Sequence, residues 1–174
     1  MRAGVKTAAL LLVSLLLSSA AAGCGVGPAK PAAAELRTTA PPWDAPRDAV
    51  SYIDKAGFER LPLDFSGPAP YTLRLKVTLD GNPVQVPAGI GVDRVRAEQA
   101  AVHTHNTDGL IYVEAKTTGE KPTLAQFFTL WGLKYDEKCL ADACRDLKIT
   151  VDGQPAPWDV PFSGGAKITV SAER

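Results

Sequence analysis

From Tyr71 to Leu79 apolar and polar side chains alternate without a break. Tyr71, Leu73, Leu75, Val77 and Leu79 fall on one side of an extended chain, and Thr72, Arg74, Lys76 and Thr78 on the other. A period of two is the mark of a strand with one face buried and one in water. Asp80-Gly81 supplies a hairpin turn, and Val84, Val86 and Ile90 continue the returning strand. Pro83 and Pro87 assign that strand to an edge, because proline has no amide to give to a ladder. A second strand–bend–strand unit follows at Val102 to Glu114, with Asn106 to Gly109 as the turn cluster and Leu110 to Glu114 as the apolar run.

The period then changes. Leu124, Phe127, Phe128 and Trp131 recur at i, i+3, i+4 and i+7, one apolar stripe of a helix that Gly132 ends. Thr123 and Gln126 stand at capping-box spacing at its start. Leu147, Ile149 and Val151 alternate again up to Asp152-Gly153. The stretch from Gln154 to Gly165 is too long and proline-rich for a tight hairpin, and Lys167 to Val170 is the last strand. Near the beginning, Ala45 to Ala56 reads as a short helix capped by Asp44, with Pro46 in its first turn, Gly57 after its end, and Val50 and Ile53 facing inward. Leu61 to Pro70 reads as loop with Leu63 and Phe65 tucked against the domain, and Asp93 to Ala101 as a polar connector with a helical turn. Hairpin, strand, helix and two further strands make the order of an α+β, β-grasp-like fold, a mixed sheet wrapped on one amphipathic helix.

Both histidines of the chain, His103 and His105, lie in the second strand–bend–strand unit. If extended, they share a face, with Cβ atoms roughly 6–7 Å apart. That spacing suits two ligands of one metal ion, with Asp108 or Glu114 as a third oxygen ligand or as a group that fixes an imidazole tautomer. Zinc or copper would be the natural choice for imidazole. The alternative is structural: the two rings brace the bend by bonding backbone carbonyls or the Asp108 carboxylate.

The segment His103-Thr104-His105-Asn106, with its apolar strand ending in Val113-Glu114, resembles the mark of a family of uncharacterised secreted or lipid-anchored bacterial proteins: a His-Thr-His-Asp turn followed by such a strand. Three further blocks carry the resemblance: Asp80 to Gly91, Thr123 to Phe128 with Trp131-Gly132, and Leu147 to Gly153. It spans about residues 70 to 155 and implies the fold, with no activity attached. In the family pattern an aspartate stands at Asn106 and a histidine at Tyr112, and further histidines often stand at Thr72 and Arg74. Any multi-histidine metal site is reduced in this chain to His103 and His105.

The start of the chain is of a different kind. Arg2 and Lys6 precede the apolar run Ala8 to Leu17 and a small-residue stretch ending at Cys24, the pattern of a secretion signal. Ala21-Ala22-Gly23-Cys24 reads as a lipobox, although leucine is usual where Ala21 stands. On this reading residues 1–23 are removed, Cys24 is lipidated, residues 24–43 form an Ala/Pro-rich tether too poor in large apolar side chains to fold, and residues 44–174 are a single domain. The expected location is the extracytoplasmic face of a bacterial membrane, held through the lipid. With Cys24 assigned, Cys139 and Cys144 remain, an even pair in an oxidising compartment. A disulfide is the first reading, with soft-metal thiolates or free thiols as alternatives.

Without Arg2 and Lys6 the chain carries 17 basic and 19 acidic side chains and no basic run, which argues against nucleic acid. There is no Gly-x-Ser-x-Gly, no His-Glu-x-x-His and no phosphate-cradling glycine loop, and Ser163 and Ser171 lack a nucleophile elbow. The sequence therefore reads as a binding or interaction module rather than an enzyme. Its partner is an envelope protein or a small ligand. No cofactor is implied beyond the zinc or copper of the alternative reading.

Overall fold

A computed structural model describes residues 34–174. The expected signal segment, Cys24 and the first part of the expected tether lie outside the described residues. Ten strands and two helices succeed one another along the described chain. The fold is α+β with a mixed sheet.

The main sheet is built around two long strands, β2 (Tyr71–Leu79) and β10 (Lys167–Glu173), which pair in parallel with Arg74 opposite Lys167 and Val77 opposite Val170. On the far side of β10 runs antiparallel β8 (Arg145–Val151), followed by the short β9 (Gln154–Pro155). On the far side of β2 two short strands share its edge. β7 (Leu110–Val113) pairs with Tyr71 to Arg74 and is flanked by β6 (Val102–His103). β3 (Asn82–Val84) pairs with Val77 to Leu79. The first and last long strands thus lie side by side and parallel at the centre, the β-grasp arrangement that the order of elements implied. Asp80 and Gly81, both at positive φ (49° and 76°), make the tight β2–β3 turn. Asp152 and Gly153 do the same between β8 and β9, so a tight hairpin does form where the prolines had pointed to a wandering loop; Pro155 is tolerated because β9 is the sheet edge.

The alternation of β2 holds in three dimensions. Leu73, Leu75, Val77 and Leu79 are buried while Arg74 and Lys76 are exposed, and from β10 Ile168, Val170 and Ala172 join the buried side. Helix α2 (Leu124–Leu130) covers that side, with Leu124, Phe127, Phe128 and Trp131 all fully buried in one contiguous core. Its start is the expected capping box: Thr123 Oγ1 accepts from the Gln126 amide, and Gln126 Oε1 accepts from the Thr123 amide. Three aromatic side chains buried at roughly 1.5–3 kcal/mol each supply a large share of what a domain this size needs.

Helix α1 (Ala49–Lys55) is shorter than the sequence suggests and begins after Asp48 rather than Asp44, although Val50 and Ile53 are buried as expected. Asp48 makes no side-chain cap; its Oδ2 instead accepts from Ser51 Oγ. Leu61–Pro62 is a strand, β1, that joins β4 (Val92–Asp93) and β5 (Glu98–Gln99) in a small second sheet. The expected helical turn in this connector is therefore a hairpin, closed by Asp93 Oδ1 accepting from the Val95 and Arg96 amides. Leu63 is exposed, at 41 %, where a tucked side chain was expected; Phe65 is the one that packs on the core.

Residues 37–43, expected from composition to belong to a tether, are instead held against the domain. The Arg37 amide donates to Gly132 O at 2.8 Å and the Lys134 amide to Arg37 O at 3.0 Å. The Arg37 guanidinium bonds the carbonyls of Trp131, Gly132 and Asp44, and Trp43 is buried edge-on against Trp131. A few specific contacts hold a stretch that lacks the apolar periodicity of a fold.

Candidate functional site

Two places on the sheet bring chemistry-bearing side chains together. The first is the histidine turn. His103 stands opposite Tyr112 in the β6–β7 ladder, and Tyr112 stands opposite Thr72 on β2, so the three side chains form one row on the sheet face turned away from α2. His103 is fully buried there, whereas His105 lies in the bend and is exposed. Arg74, two residues on from Thr72 along β2, falls on this same face.

The rings are close. His103 Nδ1 lies 3.1 Å from Ala100 O, and His103 Nε2 lies 3.2 Å from His105 Nε2. A carbonyl only accepts, so the His103 proton resides on Nδ1 and its Nε2 offers a lone pair, to which His105 Nε2–H donates. Tyr112 stacks on His103 at 5.9 Å and meets His105 edge-on at 4.4 Å. Burial pushes the His103 pKa down to about 4; the neighbouring His105 also lowers it, and the Ala100 carbonyl partly opposes them. The imidazole is therefore neutral at ordinary pH.

The bend itself is tightly held. Thr104 Oγ1 donates to Pro87 O and accepts from the Ile90 amide, and backbone bonds join Thr104 to Gly89 and Ile90. A Cβ on Gly91 would lie 2.5 Å from Val102 O, so only glycine permits this approach. Two sequence blocks, Val86 to Gly91 and the histidine segment, thus fold as one unit.

Of the carboxylates proposed beside the histidines, Asp108 is engaged elsewhere. Its Oδ1 accepts from the Leu110 amide, and its Oδ2 is 3.8 Å from Arg74 Nη1. Glu114 is nearer, with Oε2 3.7 Å from His103 Nε2, but that oxygen accepts from Gln99 Nε2 at 3.1 Å. Among the described residues no group of three or more His, Cys, Asp or Glu side chains is arranged to hold a metal ion. Cys139 and Cys144 are joined as a disulfide.

The second place is a cleft of about 450 Å³ where β2 changes partners. Between the start of β7, where Leu110 stands opposite Arg74, and the end of β3, where Val84 stands opposite Val77, the edge of β2 has no full strand beside it. Val84 to Val86 wall the gap on one side and Thr107 to Gly109 on the other, and β2 and β10 form its floor. Gly109 makes the corner: its φ is +75°, a Cβ there would stand 2.4 Å from Leu75 O, and its own carbonyl accepts from the Leu75 amide. Arg74, Lys76, Lys167 and Thr169 line the cleft from the exposed face. Sequence alternation places Arg74 and Lys76 on that face as solvated charges; Lys167 reaches them only through the long-range parallel register.

Compared with protein families, with curated proteins and with solved structures, the chain matches none. Among the described residues no helix is long and apolar enough to cross a membrane.

Proposed function

We propose that this chain is a lipid-anchored, extracytoplasmic binding module of the bacterial envelope, and that its ligand occupies the cleft between β3 and β7. The observation that carries the reading is that cleft. It is an opening within the volume range of small-molecule sites, on a face that no helix covers. The Cys139–Cys144 bridge supports an oxidising compartment, and the leader ending at Cys24 supports export and lipidation. Binding is favoured over catalysis because the imidazoles bond each other and Ala100 O, and neither Ser163 nor Ser171 bonds either ring. Replacing Cys24 by Ser in the full chain should move the protein from the membrane fraction to the soluble fraction. Unchanged membrane retention would refute the anchor. Pull-down from solubilised envelope with wild type and a Lys76/Lys167 double variant tests whether the cleft takes part in capture.

A second reading, a zinc- or copper-binding envelope protein, is favoured by one distance. Two nitrogen ligands on a tetrahedral ion at about 2.0–2.1 Å are about 3.3 Å apart, and the two Nε2 atoms already stand 3.2 Å apart. The His103 Nδ1–H bond to Ala100 O is also the kind of outer bond that orients a metal-ligating imidazole. The same geometry is a complete hydrogen bond without any ion. Calorimetry with zinc and with copper(II), against His103→Ala/His105→Ala, separates the two. Binding tighter than about 10 μM that disappears in the double variant supports the metal, and no such binding refutes it.

A further inference from the structure

We propose that the cleft between β3 and β7 is a site for a small phosphate monoester, or for the same group on a lipid headgroup. The proposal rests on the binding-module reading and assigns its ligand class.

Its basis is the charge that the parallel β2–β10 register assembles. Lys167 stands opposite Arg74 and Thr169 opposite Lys76, so three cations and a hydroxyl converge on one patch of the sheet from two strands distant in sequence. Thr107 adds a second hydroxyl from the cleft wall. Among the described residues the only acid lining the cleft is Asp108, which lies beside Arg74 and accepts from the Leu110 amide. Among the described residues, Lys76 and Lys167 form no salt bridge, and both are exposed. Three positive charges against one negative leave the cleft at about +2, the complement of a phosphate monoester near neutral pH, whose charge is about −1.5 to −2. Lysine ammonium groups act on phosphate as mobile point charges, and Arg74, held by Asp108, marks the rim of the site.

The gap arises because β3 ends at Val84, opposite Val77, and the Gly109 corner ends the pairing of β7 at Arg74, so Lys76 has no strand residue opposite it on that edge.

The test is titration of the exported domain, with the anchor residue changed to Ser, by glycerol 3-phosphate, followed through backbone amide shifts. Saturable shifts at residues 74–77, 107–109 and 167–169 are expected, with a Kd of about 1 mM or tighter. Lys76→Glu/Lys167→Glu should weaken binding at least about tenfold, Lys76→Arg/Lys167→Arg should keep it, and Lys148→Glu, on the same sheet face but outside the cleft, should leave it unchanged. Competition by vesicles of phosphatidic acid but not of phosphatidylcholine would identify a headgroup as the source of the phosphate; inert vesicles would identify a soluble ester. No saturable shift at these residues, or equal weakening by Lys148→Glu, would overturn the proposal. A cleft that takes neutral glucose and ignores the phosphate would overturn the ligand class while leaving the binding module standing. A cleft inert to both, with capture from the envelope unaffected by the Lys76/Lys167 variant, would remove the cleft from the function altogether.

Discussion

The two faces of the central β2–β10 pair are made by the same fourteen or so residues, taken alternately, yet they have nothing else in common. Leu73, Leu75, Val77, Leu79, Ile168, Val170 and Ala172 lie under α2 with almost no exposed surface. Thr72, Arg74, Lys76, Thr78, Lys167, Thr169 and Ser171 form the other face, with the three cations exposed and the hydroxyl side chains half-buried. The first set determines whether the domain folds, because buried apolar area is the dominant stabilising quantity. The second is nearly free of that constraint, since exposed side chains contribute little to stability. A pattern of charge kept on the second face is therefore more readily assigned to binding than to folding.

The strongest way to break the comparison is at the core. Phe127→Ala should cost about 3–5 kcal/mol in urea unfolding, because the side chain is fully buried among Phe128, Trp131 and Phe162 and leaves a cavity. A cost below about 1 kcal/mol would mean that the ridge is not central.

The histidine turn is the exception that sharpens the contrast: His103 belongs by register to the open face but is buried. Its folded pKa is about 4 against an ordinary 6.5. Between those values the unfolded chain binds a proton that the fold refuses. The associated stability is fully present above about pH 6.5 and is lost as pH falls toward 4, roughly 3 kcal/mol in all. Urea unfolding of wild type and His103→Gln at pH 7.5 and 4.5 isolates it, because the variant should lose less stability on acidification. Identical losses would refute the assignment.

The smallest effect belongs to the open face. Lys76→Ala and Lys167→Ala should each change stability by no more than about 0.5 kcal/mol, as melting curves would register, while weakening ligand capture. A loss above about 1.5 kcal/mol would give these lysines a structural role instead.

Local pattern carried most of the fold. The period of β2, the Asp80-Gly81 turn and the Thr123 capping box are each written in a few adjacent residues, and each formed as written. What was not legible depends on distant partners or on elements too short to show a period. The two-residue strands β1, β4 and β5 have no alternation to detect, and Leu63 has no neighbour in sequence that reveals its exposure. The histidine pair was legible as a pair, but the burial of one ring and the exposure of the other follow from the Thr104 contacts to Pro87 and Ile90. The third cation of the cleft was invisible because Lys167 meets Arg74 only when the last strand docks beside the first.

Arg37 has a practical consequence for the extent of the folding unit. Its guanidinium occupies the carbonyls of Trp131 and Gly132 at the end of α2, and its backbone is stitched to Gly132 and Lys134. A truncated fragment starting at residue 44, where composition alone would cut, would strip those carbonyls of their donor and remove Trp43 from Trp131. One starting near residue 34 would keep both, and would be the shorter route to a stable, crystallisable species.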